Sequence, residues 1–175
     1  MLKLKPAGSG DLQKEWRFVH ALPADENGYL NDWHGISWEE YEQTALPQLL
    51  ASSRGEGLPE GYVPETFFFL WEEEEIVGQF RFRHHLTEAL REGAGHIGYT
   101  IAPAHRGKGY ATKGLRLMLD HAASRVPEEE IHLRCERDNA ASLRVMLKCG
   151  GRLHHQDEEK NYVRIPLDGR SQSSH

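Results

Sequence analysis

Apolar and polar residues alternate at Leu2-Lys3-Leu4-Lys5, a pattern that predicts a short edge strand. A helical pattern follows over residues 11–22 and stops at Pro23, and residues 25–33 read as loop. Ser37-Trp38-Glu39-Glu40 is a capping box that opens a helix over 38–52, and Gly55, Gly57, Pro59 and Gly61 then mark a second loop. Strands over 66–71 and 76–84, joined by four glutamates, predict an antiparallel hairpin. On its second strand Ile76, Gly78, Phe80, Phe82 and His84 share one face, while Gln79, Arg81 and Arg83 share the other. A strand over 96–102, an amphipathic helix over 107–125 and a strand over 131–136 form a crossover, which predicts a parallel pair. A helix over 139–149 and two strands over 152–155 and 162–167 complete the chain.

This order predicts an α/β (α+β) fold over residues 1–168. It has a mixed, mostly antiparallel twisted sheet of about seven strands, with helices on both faces. Residues 169–175 read as a disordered tail. At 175 residues the chain can bury a core without disulfides or a structural metal.

Charge and cysteine usage narrow the function. The net charge of −6 argues against a nucleic-acid partner. Its distribution is uneven. Residues 23–60 hold eight acids and one Arg, whereas 104–125 hold five Lys or Arg and one Asp. The first stretch hints at a cationic acceptor, and the second at one small polyanion. Cys135 and Cys149 have neither disulfide nor zinc spacing, so a reducing, cytoplasmic setting is expected. The longest aromatic-aliphatic run, 67–71, is too short to span a membrane. The eleven histidines include the adjacent pairs His84-His85 and His154-His155. Neighbours on a strand point to opposite faces, so no metal site is expected.

The turn Arg106-Gly107-Lys108-Gly109-Tyr110-Ala111 carries the most chemistry. It lies between a strand and a helix start, where free amides and the helix dipole favour an anion. The two glycines let a pyrophosphate approach the backbone, and Arg106 and Lys108 add charge. A Walker loop would need Gly-Lys-Ser/Thr, and a dinucleotide fingerprint would need Gly at Thr112. A plain helix start with convenient glycines is the simplest alternative.

This hexapeptide resembles the Arg/Gln-x-x-Gly-x-Gly/Ala motif of the GNAT acetyltransferase superfamily. Asn139-Ala140-Ala141-Ser142-Leu143 resembles the family's Asn-x-x-Ala/Ser signature, and the element order is similar from residue 2 to about 167. Gly61-Tyr62-Val63-Pro64, Phe67-Phe68-Phe69 and Gly95-His96-Ile97-Gly98-Tyr99 are similar to a branch of bacterial acetyltransferases. The resemblance implies acetyl transfer from acetyl-coenzyme A to an amine of a small molecule or peptide by direct attack. It also allows a homodimer.

By resemblance, Arg106, Gly107, Lys108, Gly109, Tyr110 and Ala111 hold the pyrophosphate. Tyr99 and Ile101 flank the thioester, where a backbone amide can polarise its carbonyl. Asn139 and Ser142 contact the cofactor, or serve only as a helix cap and first-turn residue. Met146 stands where much of the family has a tyrosine that protonates the leaving thiolate, and Gly151 stands where a Phe is usual. That departure leaves room for a non-catalytic acyl-coenzyme A binding module as the alternative function.

His96 begins the strand beside the thioester and is the first candidate for the base, with an ordinary pKa of about 6.5. Its plainer reading is a hydrogen-bonded structural histidine. His84, His85 and Glu136 are further candidates that also read as solvated strand ends. Tyr29, Trp33, Trp38, Tyr41 and Tyr62 lie toward the acceptor by resemblance, and packing explains most of them equally well.

Overall fold

The computed structural model describes residues 1–167; the tail expected over 169–175 lies outside them. Strand β1 (Leu2–Pro6) leads to helix α1 (Leu12–Ala21), which Asp11 caps by accepting the Lys14 amide. Residues 25–33, expected to be loop, contain a small hairpin of β2 (Asp25–Glu26) and β3 (Tyr29–Leu30). Its turn residues Asn27 and Gly28 have φ of 53° and 89°, the left-handed pair that a two-residue hairpin turn demands.

The helix expected over 38–52 is present but not uniform. Ser37 caps α2 (Trp38–Glu40), a π-turn occupies Tyr41–Ala45, and α3 (Leu46–Ser53) follows. The Leu46 amide reaches back five residues to the Tyr41 carbonyl. Pro47, next in line, has no amide to donate and would crowd the carbonyl four residues before it, so the wider turn sits just ahead of it. The buried Tyr41 hydroxyl donates to Glu15 at 2.9 Å, and Glu15 also accepts the Gly8 amide at 2.9 Å. These bonds make the fully buried carboxylate tolerable.

The hairpin β4 (Glu65–Glu72) and β5 (Glu75–Arg83) pairs Phe68 with Phe80 and Gly78 with Leu70. A one-turn helix, α4 (Glu88–Glu92), capped by Thr87, precedes β6 (Ile97–Ile101). Then come α5 (Tyr110–Ala122), β7 (Glu130–Glu136), α6 (Ala140–Lys148), β8 (Arg152–Gln156) and β9 (Lys160–Pro166).

Seven strands make the main layer, in two hydrogen-bonded groups ordered β1-β4-β5-β6 and β7-β9-β8, and every pairing within them is antiparallel. One core lies under α5 and joins both groups, with Phe80, Phe82, Leu115, Met118, Ile131, Leu133 and Val163 buried together. A second core, on the opposite face, packs Val19, Tyr41, Leu49, Phe67 and Phe69 beneath α1 and α3. Each such side chain contributes about 1.5–3 kcal/mol by leaving water. Helices therefore cover both faces, as the sequence pattern predicts. Among the described residues, no helix is long and apolar enough to cross a membrane.

The sheet is not continuous between β6 and β7. These strands share no ladder, and at their N-terminal ends the His96 amide donates to the His132 carbonyl at 2.8 Å. Beyond that tie the two strands part, and the gap between them is where the candidate site lies.

Candidate active site

A cavity of about 580 Å³ opens between the C-terminal parts of β6 and β7. It is lined by Ile97–Ile101 of β6, by Arg134, Cys135 and Glu136 of β7, and by the first residues of α5 and α6. Nine of the ten expected cofactor positions line it: Tyr99, Ile101, Arg106, Gly107, Gly109, Tyr110, Ala111, Asn139 and Ser142. Lys108 does not; its exposed side chain lies outside the cavity lining, so its charge acts only from the rim.

The half of the cavity at α5 is built mainly from backbone. Gly109 is the N-cap of α5 with φ 80°, and Gly107 has φ 78°. No side chain caps α5, so its first-turn amides keep their donors for something else. A Cβ added to either glycine would meet nothing within 4 Å, so the space above the turn is open. Arg106 is occupied differently from the sequence expectation. Its Nε donates to the Ile101 carbonyl at 3.0 Å, and its terminal nitrogen pairs with Glu26 of the β2–β3 hairpin at 2.6 Å. It fastens the hairpin to the end of β6.

Asn139 accepts the Ser142 amide at 3.1 Å and so caps α6. The Ser142 hydroxyl lies 2.9 Å from the Tyr99 hydroxyl, a hydrogen bond between β6 and α6. Burial pushes the Tyr99 phenol up, so it stays protonated. Met146 is buried and lines the cavity. Gly151, where the resemblance has a Phe, has a steric reason. A Cβ there would stand 2.7 Å from both the Met146 carbonyl oxygen and Val163 Cγ1.

His96 is placed away from this cavity, and the geometry does not support it as the base. It is fully buried at the closed end of the strands, and both ring nitrogens are engaged. The His132 amide donates to Nδ1 at 3.0 Å, so the proton sits on Nε2, which donates to Glu128 at 2.9 Å. Burial pushes the ring below its usual pKa and outweighs the Glu128 carboxylate. For Glu128, burial acts upward, but hydrogen bonds from His96 and the Leu86 amide bring it below the usual range. His84, bonded to Thr66 at 2.8 Å, and His85 also lie outside the cavity lining. Glu136 lines it and is paired with Lys160 at 2.6 Å.

The other half of the cavity is built from side chains. Tyr29 of β3 lies against Gly98, with its hydroxyl donating to Gln79 at 2.8 Å. Arg81 and Arg83 from β5 and Arg134 from β7 line the same region. Sequence reasoning placed Arg81 and Arg83 on one face without a function, and it missed Arg134; their alternation along the strands was the available signal. Seven Lys or Arg side chains line the whole cavity against two Glu. Of the eight acids in residues 23–60, only Glu26 lines it, and Arg106 neutralises that one. The hint of a cationic acceptor is therefore not supported. Among the described residues, no group of three or more His, Cys, Asp or Glu is arranged to hold a metal.

Two antiparallel groups part around a cleft, with a glycine-rich turn and an uncapped helix start at its rim. A family model described as an acetyltransferase (GNAT) domain matches residues 16–152, and the chain belongs to that family. The uncharacterized N-acetyltransferase YjdG of Bacillus subtilis is 34% identical over 92 residues, 52% of this chain and 53% of that protein. The match thus spans about half of that relative's length. The uncharacterized N-acetyltransferase YnaD of the same organism is 25% identical over 139 residues, 79% of this chain and 74% of the relative.

Solved structures share the fold at low identity. RimL, a ribosomal L7/L12 alpha-N-protein acetyltransferase in complex with coenzyme A, gives a TM-score of 0.67 at 19% identity, covering 95% of this chain and 94% of its own. Campylobacter jejuni N-acetyltransferase PseH in complex with acetyl coenzyme A gives 0.62 at 14%, covering 95% and 99%. Mutant forms of the spermidine/spermine N-acetyltransferase SpeG from Vibrio cholerae give 0.64 at 17%, covering all of both chains.

Proposed function

We propose that the protein is an N-acetyltransferase that moves an acetyl group from acetyl-coenzyme A to an amine by direct attack, in the cytoplasm. The observation that carries this reading is the continuous cavity. It runs from the uncapped first turn of α5 into the gap between β6 and β7. The residues fit the ligand. Open space above Gly107 and Gly109 and free first-turn amides suit a pyrophosphate, and the Tyr99–Ser142 pair would flank the arm that follows it. The PseH structure, solved in complex with acetyl coenzyme A, supports the choice of donor.

Acetyl-coenzyme A supplies an activated thioester. The chain's residues orient the two reactants and surround them with hydrogen-bond donors. One N–C bond replaces one C–S bond, and the proton lost by nitrogen ends on the thiol sulfur. Met146 cannot deliver that proton. The carboxylates and the histidine at the cavity wall are already engaged: Glu26 with Arg106, Glu136 with Lys160, and His105 with Glu75 at 3.2 Å. An acceptor that is partly neutral by itself suits this arrangement. A peptide α-amine, with a pKa of about 8, is roughly 10% neutral at pH 7; a lysine-like amine, at about 10.4, is far less so.

Thiol release from acetyl-coenzyme A across a panel of amines, amino acids, polyamines and peptides tests the reading. Turnover above hydrolysis with at least one acceptor is expected. Tight acetyl-coenzyme A binding with no turnover on any acceptor would instead establish the acyl-coenzyme A binding module that Met146 motivates.

A further inference from the structure

The acceptor half of the cavity holds more positive charge than the chain neutralises. Arg81 and Arg83 are two residues apart on β5 and point to the same face. Their side chains are only 20% and 14% exposed. They share one carboxylate, Glu65, at 3.7 Å from each Nε, too far for a hydrogen bond. The Arg81 Nε is buried with no hydrogen-bond partner, and its guanidinium lies 4.7 Å over the Phe67 ring. One Arg83 nitrogen donates to the Gly95 carbonyl at 3.2 Å. Burial brings Arg83 down to about 10, with Arg81, and further down Arg134, acting in the same direction, so it stays charged at neutral pH. Arg134 is exposed on β7 and lines the cavity with them.

Between these strands lies Gly98, which faces Arg81 across the β5–β6 ladder and contributes no side chain. The Tyr29 ring packs on Gly98, and Arg81 and Arg83 on one strand and Arg134 on another line the cavity around it. Half-buried guanidinium groups with unused donors are costly unless an anion completes them. The planar fork of arginine matches a carboxylate well. The pyrophosphate seat at α5 is a separate part of the cavity, so it does not account for this charge.

We propose that the acceptor amine carries a carboxylate and that Arg81, Arg83 and Arg134 form its seat. This rests on the acetyl-transfer reading of the same cavity. A free amino acid and a peptide with an acidic first residue both offer this chemistry. A polyamine, all cationic, would be repelled.

The test compares matched acceptors. Leucine against leucinamide isolates the carboxylate of an amino acid. A peptide beginning with Asp against one beginning with Asn isolates that of a peptide. Spermidine is the cationic arm. We expect kcat/KM at least about tenfold higher for the carboxylated member of one pair, and that pair identifies the source. A nearby carboxylate raises the amine pKa, so free solution chemistry favours the amide and the preference must come from the protein. Arg134→Gln, at an exposed position that folding tolerates, lowers the carboxylate-to-amide ratio about tenfold, and Arg81→Gln does the same. A preference for spermidine or for both neutral members would overturn the proposal, as would an equal loss on both members in the variants.

If no amine reacts, the transfer reading fails by itself. Calorimetry on the protein loaded with coenzyme A then still judges the seat. Stronger binding of leucine or the Asp peptide than of its neutral partner, weakened in Arg134→Gln, supports it. Equal binding overturns it.

Discussion

The two halves of the cavity are made in different ways. The half at α5 uses short local segments and backbone: two glycines with positive φ, an uncapped helix start and, on α6, one Asn cap. The half opposite uses side chains from β3, β5 and β7, brought together only by folding. A backbone-built seat suits a ligand common to a whole family, because it survives wide changes in side chains. A side-chain seat can differ from protein to protein, as acceptor choice must.

The largest expected effect lies in the backbone half. Gly109→Val places a β-branched residue at φ 80°, which costs about 1–2 kcal/mol in backbone strain and moves the amides that face the ligand. Acetyl-coenzyme A affinity should fall about 100-fold by calorimetry, through lost alignment. Retained affinity would show that this half is not backbone-built after all.

The closed end sharpens the contrast, because it should affect stability rather than chemistry. His96→Leu removes the acceptor of the part-buried His132 amide and one donor to the buried Glu128. Stability in urea should drop by about 2–4 kcal/mol, with kcat little changed. A collapse of kcat in a folded variant would return His96 to the reaction.

Acid should weaken the same region. Burial, aided by Arg125, holds His121 down to about 4, and burial, aided by Arg164, holds His132 down to about 4; His96 is lowered too. The unfolded chain has ordinary histidines with pKa of about 6.5, so it binds more protons than the fold below that pH. The stability these groups lend is complete above about pH 6.5 and is lost progressively as pH falls toward 4. Thermal melts from pH 7 to 4 should show the melting temperature falling by several degrees.

The smallest effect belongs to the link across the cavity. Tyr99→Phe deletes the hydroxyl bond to Ser142 and should cost about 0.5–1.5 kcal/mol in stability. KM for acetyl-coenzyme A should rise modestly, read from thiol-release kinetics.

The difference between the halves also explains what was legible in the sequence. Residues 106–111 and the Asn139 cap are local, so their spacing announces them before any fold is known. Seven strands were legible, three of them from alternation and the rest from apolar runs and turns, and Asn27-Gly28 carried a turn signal that two-residue strands are too short to amplify. For His96 a hydrogen-bonded structural role was one of two readings, but its partners were not legible. Its partners, Glu128 and His132, are 32 and 36 residues away, and only the tie between β6 and β7 joins them. The arginine face of β5 was legible as a face, but not what it looks onto, because that depends on where β7 parts from β6. Charge summed along 23–60 misled for the same reason: sequence proximity to the acceptor region is not proximity to its wall.

The open space above Gly107 and Gly109 has one last consequence. Since a Cβ there would touch no other atom of the chain, the turn itself does not require smallness, which matters only to a ligand in that space. What the turn requires is handedness. An L-alanine would be strained at φ 80°, whereas a D-alanine, its mirror image, favours that region and would leave the turn as it is. The turn at this end of the cleft is a chiral constraint written in residues that themselves have no chirality.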